Sequence, residues 1–157
     1  MTRRSIEHAG FTIQRRYGAA PERVFAAWAD PAAKARWFAG PEEWEAGPHE
    51  LDFREGGSEF GSGGPKEGPV HRYRAIYWEV VPNERIVYTY ELLIDEVRIS
   101  VSLVTVELER DGEGTRLTLT EHGAFFDGLE DPDLRRDGTG SLLDALAREL
   151  EREFEAG

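Results

Sequence analysis

The chain has 157 residues, 39% hydrophobic and 32% charged, with a formal net charge of −12 and no cysteine. That length suits one domain, spanning 1–157, able to bury a core without staples. The charge excludes the basic footprint that nucleic acid needs and disfavours anionic lipid, and the lack of cysteine excludes disulfides, thiolate metal sites and cysteine nucleophiles.

No apolar run approaches the roughly 20 residues of a membrane span, and the opening residues lack the apolar core of a signal peptide. A cytoplasmic protein that does not enter membranes is the expectation. Lysine occurs only at Lys34 and Lys66 while arginine is frequent, a bias read as genome base composition.

In chain order, Phe11, Ile13 and Tyr17 alternate with polar residues, which predicts a half-buried strand. Pro21 then opens a helix carrying Val24, Phe25 and Trp28, since its missing N–H is harmless in a first turn. Asp30-Pro31 starts a second short helix with Trp37 and Phe38, and Gly40-Pro41 stops it. Leu51 and Phe53 suggest a strand, and the glycine-rich stretch 54–69 reads as a hairpin loop.

Tyr73, Ala75 and Tyr77 alternate next, then Ile86, Tyr88, Tyr90 and Leu92 after a turn at Pro82-Asn83. Val97, Ile99, Val101 and Leu103 form a run whose apolar phase shifts to Val104, Val106 and Leu108. A one-residue shift predicts a β-bulge after Leu103. Asp111-Gly112-Glu113-Gly114 is a tight turn, and Leu117 and Leu119 continue the sheet.

The period then changes. Leu142, Leu143, Leu146, Leu150 and Phe154 keep helical spacing. Propensity alone starts this helix near Leu142 with Ser141 as cap, because Gly138 and Gly140 would each cost about 1 kcal/mol inside it.

The order and several motifs resemble the SRPBCC (START-like) superfamily, and within it the group related to activator of heat-shock protein 90 ATPase. The motifs are Pro21-Glu22-Arg23-Val24-Phe25-Ala26-Ala27-Trp28 with Asp30-Pro31 and Arg36-Trp37-Phe38; Asp52-Phe53-Arg54-Glu55-Gly56-Gly57; the stretch from Tyr77 to Ile86; and Gly138 with Leu143, Asp144 and Leu146. Thr139 departs from the pattern, standing where the family often has tryptophan.

The resemblance implies an α+β helix-grip fold: a curved antiparallel sheet of about six to seven strands around a long C-terminal helix, with two short helices after the first strand. It implies that the last helix begins near Pro132, its glycines allowing close packing on the sheet or a ligand. It also implies an apolar cavity between sheet and helix.

Trp37, Phe38, Phe53, Tyr73, Tyr88, Val101, His122, Phe125, Phe126 and Leu143 are the expected lining. Aromatic side chains supply large contact area at little entropic cost, and tyrosine adds a polar tip.

The function expected is binding of a small apolar or amphipathic molecule. No cofactor or metal is expected, since no metal-ligating motif stands out. One alternative is a cyclase- or hydrolase-like enzyme acting on an aromatic substrate through His122, Tyr73 and Tyr88. Another is a chaperone partner, and a homodimer is possible. Glu121 and His122 should not pair directly, because neighbours on a strand face opposite ways. Asp52 and Arg54 share a face and could pair or hold a polar head, while Glu79 and Arg85 are expected to pair across their turn.

Overall fold

A computed structural model describes residues 4–156, with side chains to residue 152; Arg3 and the Phe154 side chain lie outside the described residues. The elements are β1 (Ile6–Tyr17), α1 (Pro21–Ala29), α2 (Pro31–Trp37), β2 (Glu45–Leu51), β3 (Ser58–Gly64), β4 (His71–Val81), β5 (Arg85–Ile94), β6 (Val97–Asp111), β7 (Gly114–Phe126) and α3 (Pro132–Ala156). This is the helix-grip α+β architecture. No described helix is long and apolar enough to cross a membrane.

The seven strands form one antiparallel sheet in the order β1-β7-β6-β5-β4-β3-β2. Strands β2 to β7 are a meander, and β1 closes against β7 with Ile13 opposite Leu119. Alternation sends Ile13, Tyr77, Ile86, Tyr88, Val104, Val106, Leu117 and Leu119 to the inner face, where they join Val24, Trp28, Trp37, Leu143, Leu146 and Leu150 from the helices. Each large side chain so buried contributes about 1.5–3 kcal/mol.

Local chemistry fixes the helix ends. Pro21 and Pro31 occupy first turns, and the Asp30 carboxylate accepts from Ala32 N at 3.2 Å. Trp37 Nε1 donates to Ala27 O at 2.9 Å and locks α2 to α1. Arg36 grips Glu149 through two hydrogen bonds of 2.9 and 2.7 Å, tying α2 to α3.

The Tyr17 hydroxyl donates to Leu143 O at 2.8 Å inside the core and ties β1 to α3. Tyr17→Phe should therefore cost about 1 kcal/mol in urea unfolding, the typical net worth of one hydrogen bond.

Several expectations about elements need correction or gain support. The stretch 54–69 is not all loop: it contains β3, which pairs with both β2 and β4. Its glycines let backbone approach closely, since a Cβ on Gly64 would lie 2.2 Å from Pro69 O. The bulge expected after Leu103 lies at Ile99, because Leu92 pairs with Ser100 and Leu93 with Arg98.

The last helix starts at Pro132, as the resemblance implied and propensity did not. Gly138 is exposed with nothing within 4 Å of a built Cβ, so it allows no close packing, whereas a Cβ on Gly140 would lie 3.4 Å from Arg15 Nη2. Arg54 pairs with Asp52, and Arg85 with Glu79, as their spacing suggested.

Candidate functional site

The inner face is apolar at its centre and polar towards the start of α3. One inner row of the sheet runs Ala75, Tyr90, Ser102, Gly123, Ala9, with small residues at all but one position. Arg135 descends from α3 over this row and is only 8% exposed. Its Nη1 donates to the Tyr90 hydroxyl at 2.9 Å and its Nη2 to Ser100 Oγ at 2.8 Å.

Tyr90 in turn donates to Glu121 Oε2 at 2.8 Å. Glu121 is buried, and burial pushes its carboxyl above the usual range against the pull of Tyr90, Arg135 and Ser102. Glu130, half-buried on the connection into α3, forms an ion pair with Arg135 Nη2 at 2.8 Å without hydrogen-bond geometry. The Arg135 guanidinium also lies 5.1 Å from the Phe125 ring centre and 5.6 Å from that of Tyr90.

Two hydroxyls in this region are left over. Ser102 Oγ lies near enough to Glu121 to act on its charge but makes no well-formed hydrogen bond. The Tyr73 hydroxyl is likewise buried, and lies near enough to Tyr88 to act on it without making a well-formed hydrogen bond. Buried polar atoms without partners are uncommon in native structures and call for an explanation.

A second buried cluster lies at the other end, beneath α2. Lys34 is 0% exposed, with its Nζ 2.8 Å from Glu59 Oε1 and 3.2 Å from the Tyr77 hydroxyl. Tyr77 donates to the same Glu59 oxygen at 2.7 Å, and His49 Nε2 meets the other at 2.8 Å. The rings of Phe38 and Trp28 lie 4.4 and 5.1 Å from the ammonium.

Burial pushes Lys34 down against the pull of Glu59. Burial would push Glu59 up, but the Lys34 charge and the bonds from His49, Lys34 and Tyr77 bring it to about 2. Among the described residues no three side chains are placed to hold a metal ion.

Seven of the ten expected lining residues face the interior. Phe38 meets Tyr73 at 5.0 Å between ring centres, Tyr73 meets Tyr90 at 4.9 Å, Phe53 meets Tyr77 at 5.0 Å, and Trp37 meets Phe38 at 5.6 Å. Tyr88, Phe125 and Leu143 are buried with them. The rings touch in sequence, so side chains themselves occupy the expected cavity.

Val101, His122 and Phe126 are corrected to the outer face. Val101 pairs with Ala124 and Leu103 with His122 on that side, and Phe126 alternates with inward Phe125. The bulge at Ile99 is the reason for Val101, since beyond it the inward positions are Ser100 and Ser102. In β7 the inward phase belongs to Glu121, so His122 turns out and lies across Gly10. Val101 and His122, with Leu103, Thr89 and His8, line a shallow groove of about 540 Å3. The acid–base reading of His122 thus loses its place beside Tyr73 and Tyr88.

Sequence reasoning missed Arg135, Glu121, Tyr90, Ser100, Ser102, Lys34 and Glu59 as site residues. Strand phase carried the available signals: Val104, Val106 and Leu108 continued backwards place Ser102 and Ser100 inside, Leu117 and Leu119 continued forwards place Glu121 inside, and Tyr90 stands in phase with Ile86 and Tyr88.

Comparison with known proteins comes to the same architecture. Residues 18–151 match the family described as Activator of Hsp90 ATPase homolog 1-like protein. An uncharacterized protein from Rhizobium leguminosarum has 46% identity and a TM-score of 0.91, over 96% of this chain and 99% of that one. A protein from Rhizobium loti has 44% identity and a TM-score of 0.85, over 92% of this chain and 99% of that one. An activator-like protein from Aeromonas hydrophila, at 22% identity and a TM-score of 0.69 over 92% and 94% of the two chains, shares the fold. No curated protein matches the chain.

Proposed function

The chain belongs to the Activator of Hsp90 ATPase homolog 1-like family, and from that premise we propose that it binds a small amphipathic molecule between the sheet and the first half of α3. The observation that carries this reading is the polar group set over small inner residues: Arg135, Glu121 and Tyr90, with two unpaired hydroxyls on Tyr73 and Ser102. A core serving stability alone gains nothing from unpaired buried hydroxyls. Binding pockets combine aromatic walls with a few convergent polar groups.

The described form is closed, so entry requires movement, and the structure is weakest where movement would help. In the first ten residues of α3 only Arg135 and Thr139 are buried, whereas the next ten bury Leu143, Leu146, Glu149 and Leu150. Leu129 and Leu134, 48% and 64% exposed, flank the start of α3. Segments with few buried apolar contacts open at the lowest cost. Tyr73, half-buried with its ring 4.9 Å from that of Tyr90, is the side chain that would shift to admit a ligand and then line its site.

Mass spectrometry of the purified protein under native and denaturing conditions tests the reading. A small organic molecule released on denaturation is the expected result. An empty protein that also shows no thermal shift across a library of apolar and amphipathic compounds would overturn it.

Tyr73→Phe separates binding from stability. Removing a buried unpaired hydroxyl should leave the urea midpoint unchanged or raise stability by up to about 1 kcal/mol, while weakening retention of the released molecule. A clear loss of stability would show instead that the hydroxyl is a structural anchor.

A further inference from the structure

We infer that the ligand taken up beside Arg135 carries a neutral or cationic hydrogen-bond-donating head, an amine or hydroxyl on an apolar body, and that the site rejects carboxylates. The inference rests on the ligand-site reading above and names the chemistry that such a site selects.

The charge inventory carries it. Arg135 would be the natural partner of an anionic head, but its terminal nitrogens are already engaged. Nη1 donates to Tyr90 and Nη2 to Ser100, with Glu130 Oε2 2.8 Å from Nη2. A second carboxylate, Glu121 Oε2, lies 3.7 Å from Nη1. One cation thus faces two carboxylates, and a third anion entering here would meet like charges in a buried setting that screens them poorly.

Groups available to a ligand point the other way. Glu121 is acceptor-only while ionised. Ser102, 2% exposed, carries its unpaired hydroxyl on the same inner row as Tyr90. The Tyr73 hydroxyl is a second unpaired group that can accept from an N–H or O–H donor. Around them the rings of Tyr73, Tyr90 and Phe125 supply apolar surroundings for a ligand body, with the Arg135 guanidinium already seated over those of Tyr90 and Phe125.

Titration calorimetry at neutral pH with phenylbutylamine, phenylbutanol and phenylbutyrate, which share one body, tests this. The amine and the alcohol should each bind at least about tenfold more tightly than the carboxylate, the effect of one charge-assisted contact. Glu121→Gln should bring amine and carboxylate to within about threefold of each other, and Ser102→Ala should weaken amine and alcohol alike. Should the carboxylate bind as well as the amine, or Glu121→Gln leave their ratio unmoved, the head-group inference is overturned while the ligand site stands. If none of the three binds the wild-type protein, this inference is overturned, while the ligand-site reading is decided by the mass spectrometry and the library screen above.

Discussion

Replacing Lys34 by methionine should cost the domain about 3–5 kcal/mol, because removing one partner of a buried ion pair strands the other. Glu59 would keep the Tyr77 hydroxyl and His49 but lose the ammonium 2.8 Å away. Methionine is close to lysine in length and fills the aromatic surround, so the loss reports charge rather than a cavity. Domains of this kind are stable by only about 5–15 kcal/mol, so the variant should unfold at a much lower urea concentration.

A double variant decides the interpretation. Lys34→Met with Glu59→Gln removes both charges and leaves an amide that can still accept from Tyr77. It should recover at least half of the single-variant loss, since a buried pair is often no better than apolar filling of the same volume. A Lys34→Met protein as stable as the wild type would show that the pair is held at little electrostatic gain. Additive losses would show that each residue acts alone.

How much of this was legible beforehand follows from what alternation can and cannot encode. Long amphipathic elements were legible: Ile13 and Tyr17, Tyr88 and Tyr90, Leu143 and Leu146 all face the core as their spacing says. The start of α3 was not legible from propensity, because Gly138 is exposed and its cost is small against the docking of a whole helix.

The candidate site was least legible, for a physical reason. Alternation gives a strand two phases, and burial usually chooses the apolar one. In β6 that choice inverts beyond the bulge: Val101 and Leu103 are 40% and 44% exposed, while Ser100 and Ser102 are buried. Polar residues in a core look like surface residues in a sequence, and Glu121, Arg135 and Glu59 share that disguise. Lys34 was hidden differently. One of only two lysines beside many arginines invites a compositional explanation, yet the compact ammonium is what fits among Trp28, Phe38 and Tyr77.

The two buried glutamates should give opposite pH signatures. Glu59 has its carboxyl depressed from 4.5 to about 2. A depressed folded value contributes stability that is present above the unfolded pKa and lost as pH falls through the folded one. That contribution is about 3 kcal/mol, so wild-type stability should fall steeply from about pH 4.5 towards pH 2. Glu59→Gln should show little of this slope and be correspondingly less stable at neutral pH.

Glu121 has its carboxyl raised by burial, so its contribution is present below 4.5 and lost as pH rises through the folded value. Glu121→Gln should therefore match the wild type in acid and equal or exceed it at neutral pH. Arg135 keeps Tyr90, Ser100 and Glu130 in that variant. Urea midpoints for the three proteins between pH 3 and pH 7 give the comparison directly. If Glu121→Gln is the less stable protein at neutral pH, Glu121 is part of the scaffold. If it is the more stable one, the sheet carries an ionised carboxylate at a cost in stability, which is the pattern of a residue held for binding.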